Sequence, residues 1–364
     1  MNHDSTSHAG PRFGVAVSFA IAAAISLAAS AEGQVRKTIQ VTIDGRVHTG
    51  WPLVSDGNQF VLLRRDGSIK KLEVAKAKNY QTIANDFQPY SFDKCVERLS
   101  QIYGSQYSVT KTSHFVIVHP RGKQSQWAQM FEGVYTQFYY YFTAMGFKVQ
   151  QPEFPMIAIV FNTREEYDQY TVRRGMAPRK NVVGFYMPAN NRMVTYNQQF
   201  SGQSYSTIVH EITHQVAFNT GVQSRYAQPP IWVCEGLAVM FEAPGVRDRQ
   251  RYPKLEQRLH AAHFQNFKVI AENGVLKKTL RSIAIGDDAF NSDPKNAYTT
   301  SWALMYYLSN TKPTEMSTYL RTLAQRKNFS GYPAKKRWAD FVAHFGSDID
   351  LIEARMKQYF ANLK

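Results

Sequence analysis

The sequence predicts an α+β architecture, and three observations carry that expectation. Between about Arg36 and Ile83, short stretches alternate polar and apolar residues and are broken by Gly turns. From Tyr90 to Ser206, apolar runs of strand length such as Met156-Ile157-Ala158-Ile159-Val160-Phe161 are interleaved with helical segments. After Ser206 the apolar period is helical to the C-terminus.

Taken in order, Thr38-Ile39-Gln40-Val41-Thr42-Ile43 alternates and ends on the hairpin dipeptide Asp44-Gly45. Phe60-Val61-Leu62-Leu63, Asp66-Gly67 and Ile69 repeat the pattern. Four or five such strands predict a small β-barrel, and in this pattern residues 32–88 resemble SH3-like domains. That resemblance implies an accessory binding or docking module. Gln88-Pro89-Tyr90 marks the boundary with a second domain, 89–364.

In that domain His114–Val118 is expected as a strand and Gln124–Met145 as an aromatic-rich helix. A buried strand at Met156–Phe161 precedes a helix at Thr163–Thr171, opened by the capping box Thr163-x-x-Glu166. Val183–Tyr186 and Met193–Tyr196, around Pro188-Ala189-Asn190-Asn191-Arg192, predict a hairpin. Helices are then expected at Thr207–Asn219, Ile231–Ala243, Lys254–Phe264, Tyr298–Ser309, Thr314–Gln325 and Asp348–Leu363. Residues 89–205 thus form a sheet-containing subdomain and 206–364 a helical one.

Composition narrows the function classes. With 44% hydrophobic and 20% charged residues the chain is globular rather than disordered or coiled-coil. Forty-three Lys and Arg against 28 Asp and Glu leave +15, a basic surface suited to an anionic surface or polymer. No helix-turn-helix pattern, Cys/His finger or RNP-type motif supports nucleic acid as the partner. Arg12 precedes an uncharged stretch, Phe13 to Ala31, that closes on Ala29-x-Ala31. This is the pattern of a secretory signal (1–31) cleaved near Ala31, with an uncleaved N-terminal membrane anchor as the alternative. Cys95 and Cys234 are too few for a disulfide framework, and either one bridge or two buried thiols fits the spacing.

The segment that carries chemistry is Thr207-Ile208-Val209-His210-Glu211-Ile212-Thr213-His214-Gln215-Val216. Helix positions four apart lie about 40° apart around the axis, so His210 and His214 can share one metal ion with Glu211 beside them. Twenty-one residues after His214, Glu235 stands in Trp232-Val233-Cys234-Glu235-Gly236-Leu237-Ala238. A hydrolytic zinc site takes three protein ligands and leaves a position open for water, and a carboxylate from an adjacent helix completes that set. Gly236 removes bulk where helices approach. Cys234, about 100° round the helix from Glu235, reads as a buried small residue rather than a fourth ligand.

At these residues the chain resembles the gluzincin metallopeptidases, the thermolysin-like and M1-like group, and an uncharacterised family of exported bacterial gluzincin-like proteins. The resemblance rests on the His-Glu-x-x-His helix followed by the Trp-x-x-Glu-Gly-x-Ala helix, and it would cover about Tyr90 to Lys364. It implies zinc bound by His210, His214 and Glu235, Glu211 as general base, and a peptide or protein as substrate. In M1-like members a Tyr opening a later helix supplies the second electrophile, and Tyr298 corresponds here. His260 and His263 are alternative donors of the thermolysin type.

Two departures limit the carry-over. Val239 stands where thermolysin-like enzymes place an Asp that orients a zinc His, so another acceptor is required, and Glu242 is the candidate. No Asp or Glu lies between Asp168 and Glu211, so the carboxylate that anchors a free α-amine in aminopeptidases is missing. An endopeptidase, with the 183–196 hairpin pairing to an extended peptide, suits the chain better. The alternative is an inactive zinc-containing binding protein docked on an anionic surface or polymer.

Overall fold

Ile39, Val41 and Ile43 alternate along the first strand and are all buried, so one face of the N-terminal sheet is packed and the other wet. The computed structural model describes residues 36–177, 182–197 and 202–363. The expected signal segment, 1–31, lies outside them. The chain divides into two compact units between Tyr90 and Ser91.

In the first unit β1 (Thr38–Ile43), β2 (Arg46–Ser55), β3 (Gln59–Leu63), β4 (Ile69–Glu73) and β5 (Lys78–Ala84) form one antiparallel sheet in the order β4-β3-β2-β1-β5. Asp44 and Gly45 both take positive φ, which closes the β1–β2 hairpin with the twist the strands require. Phe60, Leu62, Leu72 and Val74 join the β1 residues in a small core.

The second unit sets a five-stranded sheet beside a helical mass. Its elements begin with α1 (Phe92–Tyr103), β6 (Tyr107–Lys111), β7 (Phe115–Pro120), α2 (Gln124–Ala144), β8 (Met156–Phe161), α3 (Arg164–Val172), β9 (Gly184–Met187) and β10 (Arg192–Tyr196). The strand order is β6-β7-β8-β10-β9. β8 runs parallel to both β7 and β10, while β6 and β9 are antiparallel edges. Every residue of β7 and β8 is buried, which accounts for their unbroken apolar runs. The Thr163/Glu166 capping box is formed on both sides.

The helices that follow are α4 (Gly202–Asn219), α5 (Ile231–Glu242), the four-residue α6 (Pro244–Arg247), α7 (Ala261–Glu272), α8 (Val275–Ile285) and the short α9 (Ala289–Ser292). The chain ends with α10 (Pro294–Thr311), α11 (Pro313–Ala324), α12 (Ala334–Phe345) and α13 (Ile349–Ala361). The fold is thus mixed α+β with two sheets and many helices. One expected helix, Lys254–Phe264, is corrected: a 3-10 turn covers Leu255–Arg258, Leu259 is extended, and α7 begins only after His260. His260 breaks the helix because its ring accepts the His263 N–H and caps α7. No disulfide joins Cys95 and Cys234.

α10 is the spine of this unit, buried along nearly its whole length and packed against α5, α7 and α8. α5 starts at Pro230 with no side-chain cap of its own. Instead Asp287 Oδ1 accepts the Ile231 N–H at 3.1 Å, and Arg337 of α12 holds Asp287 with two hydrogen bonds of 3.0 and 2.8 Å. Arg337→Leu is therefore expected to cost about 2 kcal/mol through these charge-assisted bonds. A thermal melt unchanged from wild type would refute that role.

Candidate metal centre

α4 is held on its apolar side by Ile208, Val209, Ile212 and Val216, all fully buried, and packs on α2, α5 and the β9–β10 hairpin. Gln215 adds polar anchors: its buried amide donates to the carbonyl of Ile157 in β8 at 3.0 Å and to that of Asn191 at 3.3 Å. The opposite side of the helix is thereby fixed over α5.

On that side the Nε2 atoms of His210 and His214 face each other at 3.1 Å. Glu235 of α5 brings Oε2 to 3.2 Å from His210 Nε2 and Oε1 to 3.6 Å from His214 Nε2. A tetrahedral ion with bonds near 2.0–2.2 Å spaces its donors about 3.4 Å apart, so these separations suit a single shared ion. His210, His214 and Glu235 form the one group of this kind among the described residues. The side chains keep between 11% and 19% of their surface exposed, which leaves an approach from solvent.

Glu242, two turns beyond Glu235, completes the orientation of His210. His210 Nδ1 donates to Glu242 Oε1 at 2.8 Å, and this fixes Nε2 as the nitrogen turned towards Glu235 and His214. His260 Nε2 donates to the other oxygen of Glu242 at 3.2 Å, so the carboxylate is clamped from both sides.

The imidazoles and carboxylates of this cluster are strongly coupled. Burial disfavours every charged form, yet the hydrogen bonds from Glu235 and Glu242 push His210 well above the ordinary imidazole value. Burial likewise opposes ionisation of Glu235 and Glu242, but the His210, His214 and His260 rings outweigh it. They hold Glu235 far below the usual carboxylate range and Glu242 down to about 2. An imidazole between two carboxylates takes either a second proton or a metal ion at Nε2, and the donor set fits the latter.

Glu211 points to the other flank. Its Oε2 accepts the backbone N–H of Tyr186, in the edge strand β9, at 2.8 Å. Burial raises its pKa, against the pull of the two imidazoles. Tyr186 is itself positioned by a network absent from the sequence reading. Its hydroxyl donates to Asn191 Oδ1 at 2.8 Å, its ring stacks on Phe218, and Asn191 exchanges two 2.8 Å amide bonds with Asn219 of α4. Asn191 adopts φ of 54°, a left-handed turn that Asn tolerates better than most residues.

The structure thus brings His210, His214, Glu235, Glu211 and Glu242 together. Tyr298 stands near the start of α10, edge-on to Phe290 with ring centroids 5.5 Å apart. His263 Nδ1 pairs with Thr299 Oγ1 at 3.0 Å, and burial followed by the neighbouring His260 lowers its pKa to about 4. Cys234 is pushed well above the usual thiol value by burial and then by Glu235.

Glu242→Gln is expected to weaken metal retention about 10–100-fold while the fold persists, because the amide keeps the shape but not the charge. Metal content after dialysis against a graded chelator measures it. Retention equal to wild type would remove Glu242 from the centre.

Two comparisons bear on this region. Residues 204–330 match a family described as a protein of unknown function (DUF1570), a span that contains α5, α10 and all but the first two residues of α4. Among curated proteins none matches the chain.

Proposed function

We propose that this chain is an exported, gluzincin-like zinc peptidase that cleaves within peptide chains. The observation that carries the reading is the meeting of two imidazoles and a carboxylate from two helices, with a further carboxylate, Glu211, next to the first ligand. When bound by His210, His214 and Glu235, zinc supplies a Lewis acid that polarises the scissile carbonyl and makes water acidic near neutral pH.

Glu211 is the base that takes the proton of the attacking water and hands it to the leaving amine. The Tyr186 N–H fixes its Oε2, which leaves Oε1 for the proton. Tyr298, near the start of α10, is the oxyanion donor that the resemblance to M1-like members implies, with His260 and His263 as the alternatives. β9 is a sheet edge, and a peptide laid along it as an added strand would pass beside Glu211. That geometry suits cleavage away from chain ends. In the first unit, the order β4-β3-β2-β1-β5 with a 3-10 turn before β5 supports an SH3-like barrel acting as a docking module.

The test is metal analysis of the purified protein together with cleavage of a mixed peptide library, with and without chelator. About one zinc per chain and chelator-sensitive cuts within peptides are expected. Zinc without cleavage would turn the reading to a binding protein, and absence of zinc would overturn the ligand set.

A further inference from the structure

The first unit holds a second concave site, independent of the metal centre. A groove of about 490 Å³ is lined by Arg46 and His48 of β2, Gln59 of β3, Lys70 and Lys71 of β4, and Lys76 of the following turn. Asp44 and Glu73 also border it, and Glu73 is bonded to Lys76 at 2.9 Å. Arg46, Lys70 and Lys71 have no carboxylate partner among the described residues.

His48 is the unusual member. The residue is only 8% exposed, neither ring nitrogen hydrogen-bonds to a described residue, and neither is sealed from solvent, so the ring edge opens on the groove. Lys70, Arg64 and Arg46 face it, with Asp44 the one opposing charge. Burial and then these cations lower its pKa, so at neutral pH it presents an uncharged N–H and a lone pair. An accessible imidazole N–H thus stands amid three cations that have no carboxylate partner among the described residues. It suits a ligand rich in anionic oxygens.

We propose that this groove binds phosphate groups. Net of Asp44 and Glu73 its four cations leave +2, which matches one phosphate dianion of about −2 or two successive phosphodiesters. Arg46, Lys70 and Lys71 take the charged oxygens and His48 donates its N–H to one of them, as charge-assisted bonds prefer. The residues 36–90 around the groove carry nine Lys and Arg against five Asp and Glu, which steers such a ligand in. Free oligophosphate and the headgroup of an anionic phospholipid share this chemistry.

The test uses the full-length protein, titrated by calorimetry with inorganic pyrophosphate and, separately, by sedimentation with vesicles of phosphatidylglycerol in phosphatidylcholine. Lys70→Gln/Lys71→Gln is expected to weaken binding at least about tenfold, the loss of two charge-assisted contacts. Lys278→Gln/Lys327→Gln, which removes the same charge from exposed positions of the second unit, should leave it unchanged. The His48 imidazole resonance, assigned with His48→Gln, should titrate at higher pH once ligand neutralises the surrounding cations. Binding of pyrophosphate alone identifies a free phosphate ligand, and matching loss of vesicle binding in the groove variant identifies the lipid. Equal weakening by both double variants, or a His48 titration indifferent to ligand, would overturn the proposal and leave only general attraction to a basic surface.

Discussion

Glu211→Gln is expected to slow peptide cleavage by about 10²–10⁴-fold while leaving metal content and melting temperature as in wild type. The argument is geometric. The Gln side chain keeps an oxygen that accepts the Tyr186 N–H, so β9 and α4 stay joined as they are at 2.8 Å in the native protein. What it loses is the capacity to receive a proton. The proposed ligands His210, His214 and Glu235 are untouched, so retained zinc with lost turnover would separate the base from the ligands. Cleavage equal to wild type would sink the assignment of Glu211. Parallel loss of zinc would show instead that Glu211 maintains the centre.

Gly236→Ala is expected to destabilise the second unit by about 1–3 kcal/mol and to lower zinc affinity as well. A methyl at this position would lie 2.5 Å from the carbonyl oxygen of Ser301, 2.9 Å from its carbon and 3.2 Å from Met305 Cβ. The first two are backbone atoms of α10, and no rotamer change relieves a backbone clash. α10 cannot retreat cheaply, since Trp302, Ala303 and Leu304 are fully buried behind that contact. α5 must shift, and Glu235, the preceding residue, shifts with it. Thermal unfolding and competitive chelation measure the two effects. A variant that melts lower but binds zinc normally would show that α5 carries Glu235 independently of α10.

Much of the site could be read from local spacing, because its ligands sit in two short helical stretches. His210 and His214 share a helix face by period alone, and Glu242 follows Glu235 at two helical turns, a repeat that places both near one imidazole. What escaped depends on long-range partners. Nothing near Asp287 marks it as the cap of a helix 56 residues earlier, and nothing near Arg337 marks its hold on Asp287. The amide pair of Asn191 and Asn219 is similarly invisible, since the two belong to different elements.

Among the helices, α8 did carry a signal, with Leu276, Leu280 and Ile283 on one buried face, but its Lys and Arg content hides the period. α1 and α12 carried a helical period as well, with Cys95 and Leu99 on the buried face of the first and Phe341 and Phe345 on that of the second, among charged residues that obscure it. The error at Lys254–Phe264 has another origin. Composition favoured helix throughout, and only the His260 side chain, competing for a backbone N–H, moved the start of the helix.

The Asp287–Arg337 clasp has a consequence for the order in which the protein matures. The three side chains of the proposed metal set have been synthesised by residue 235, yet α5 acquires its cap only when Asp287 emerges and its clamp only with Arg337. More than a hundred residues separate His210 from Arg337. During that stretch of translation α5 lacks the Asp287 bond at its first N–H, while α4 already has the partners of Gln215 at residues 157 and 191. The cap of α5 is therefore completed only when synthesis of the unit is nearly finished.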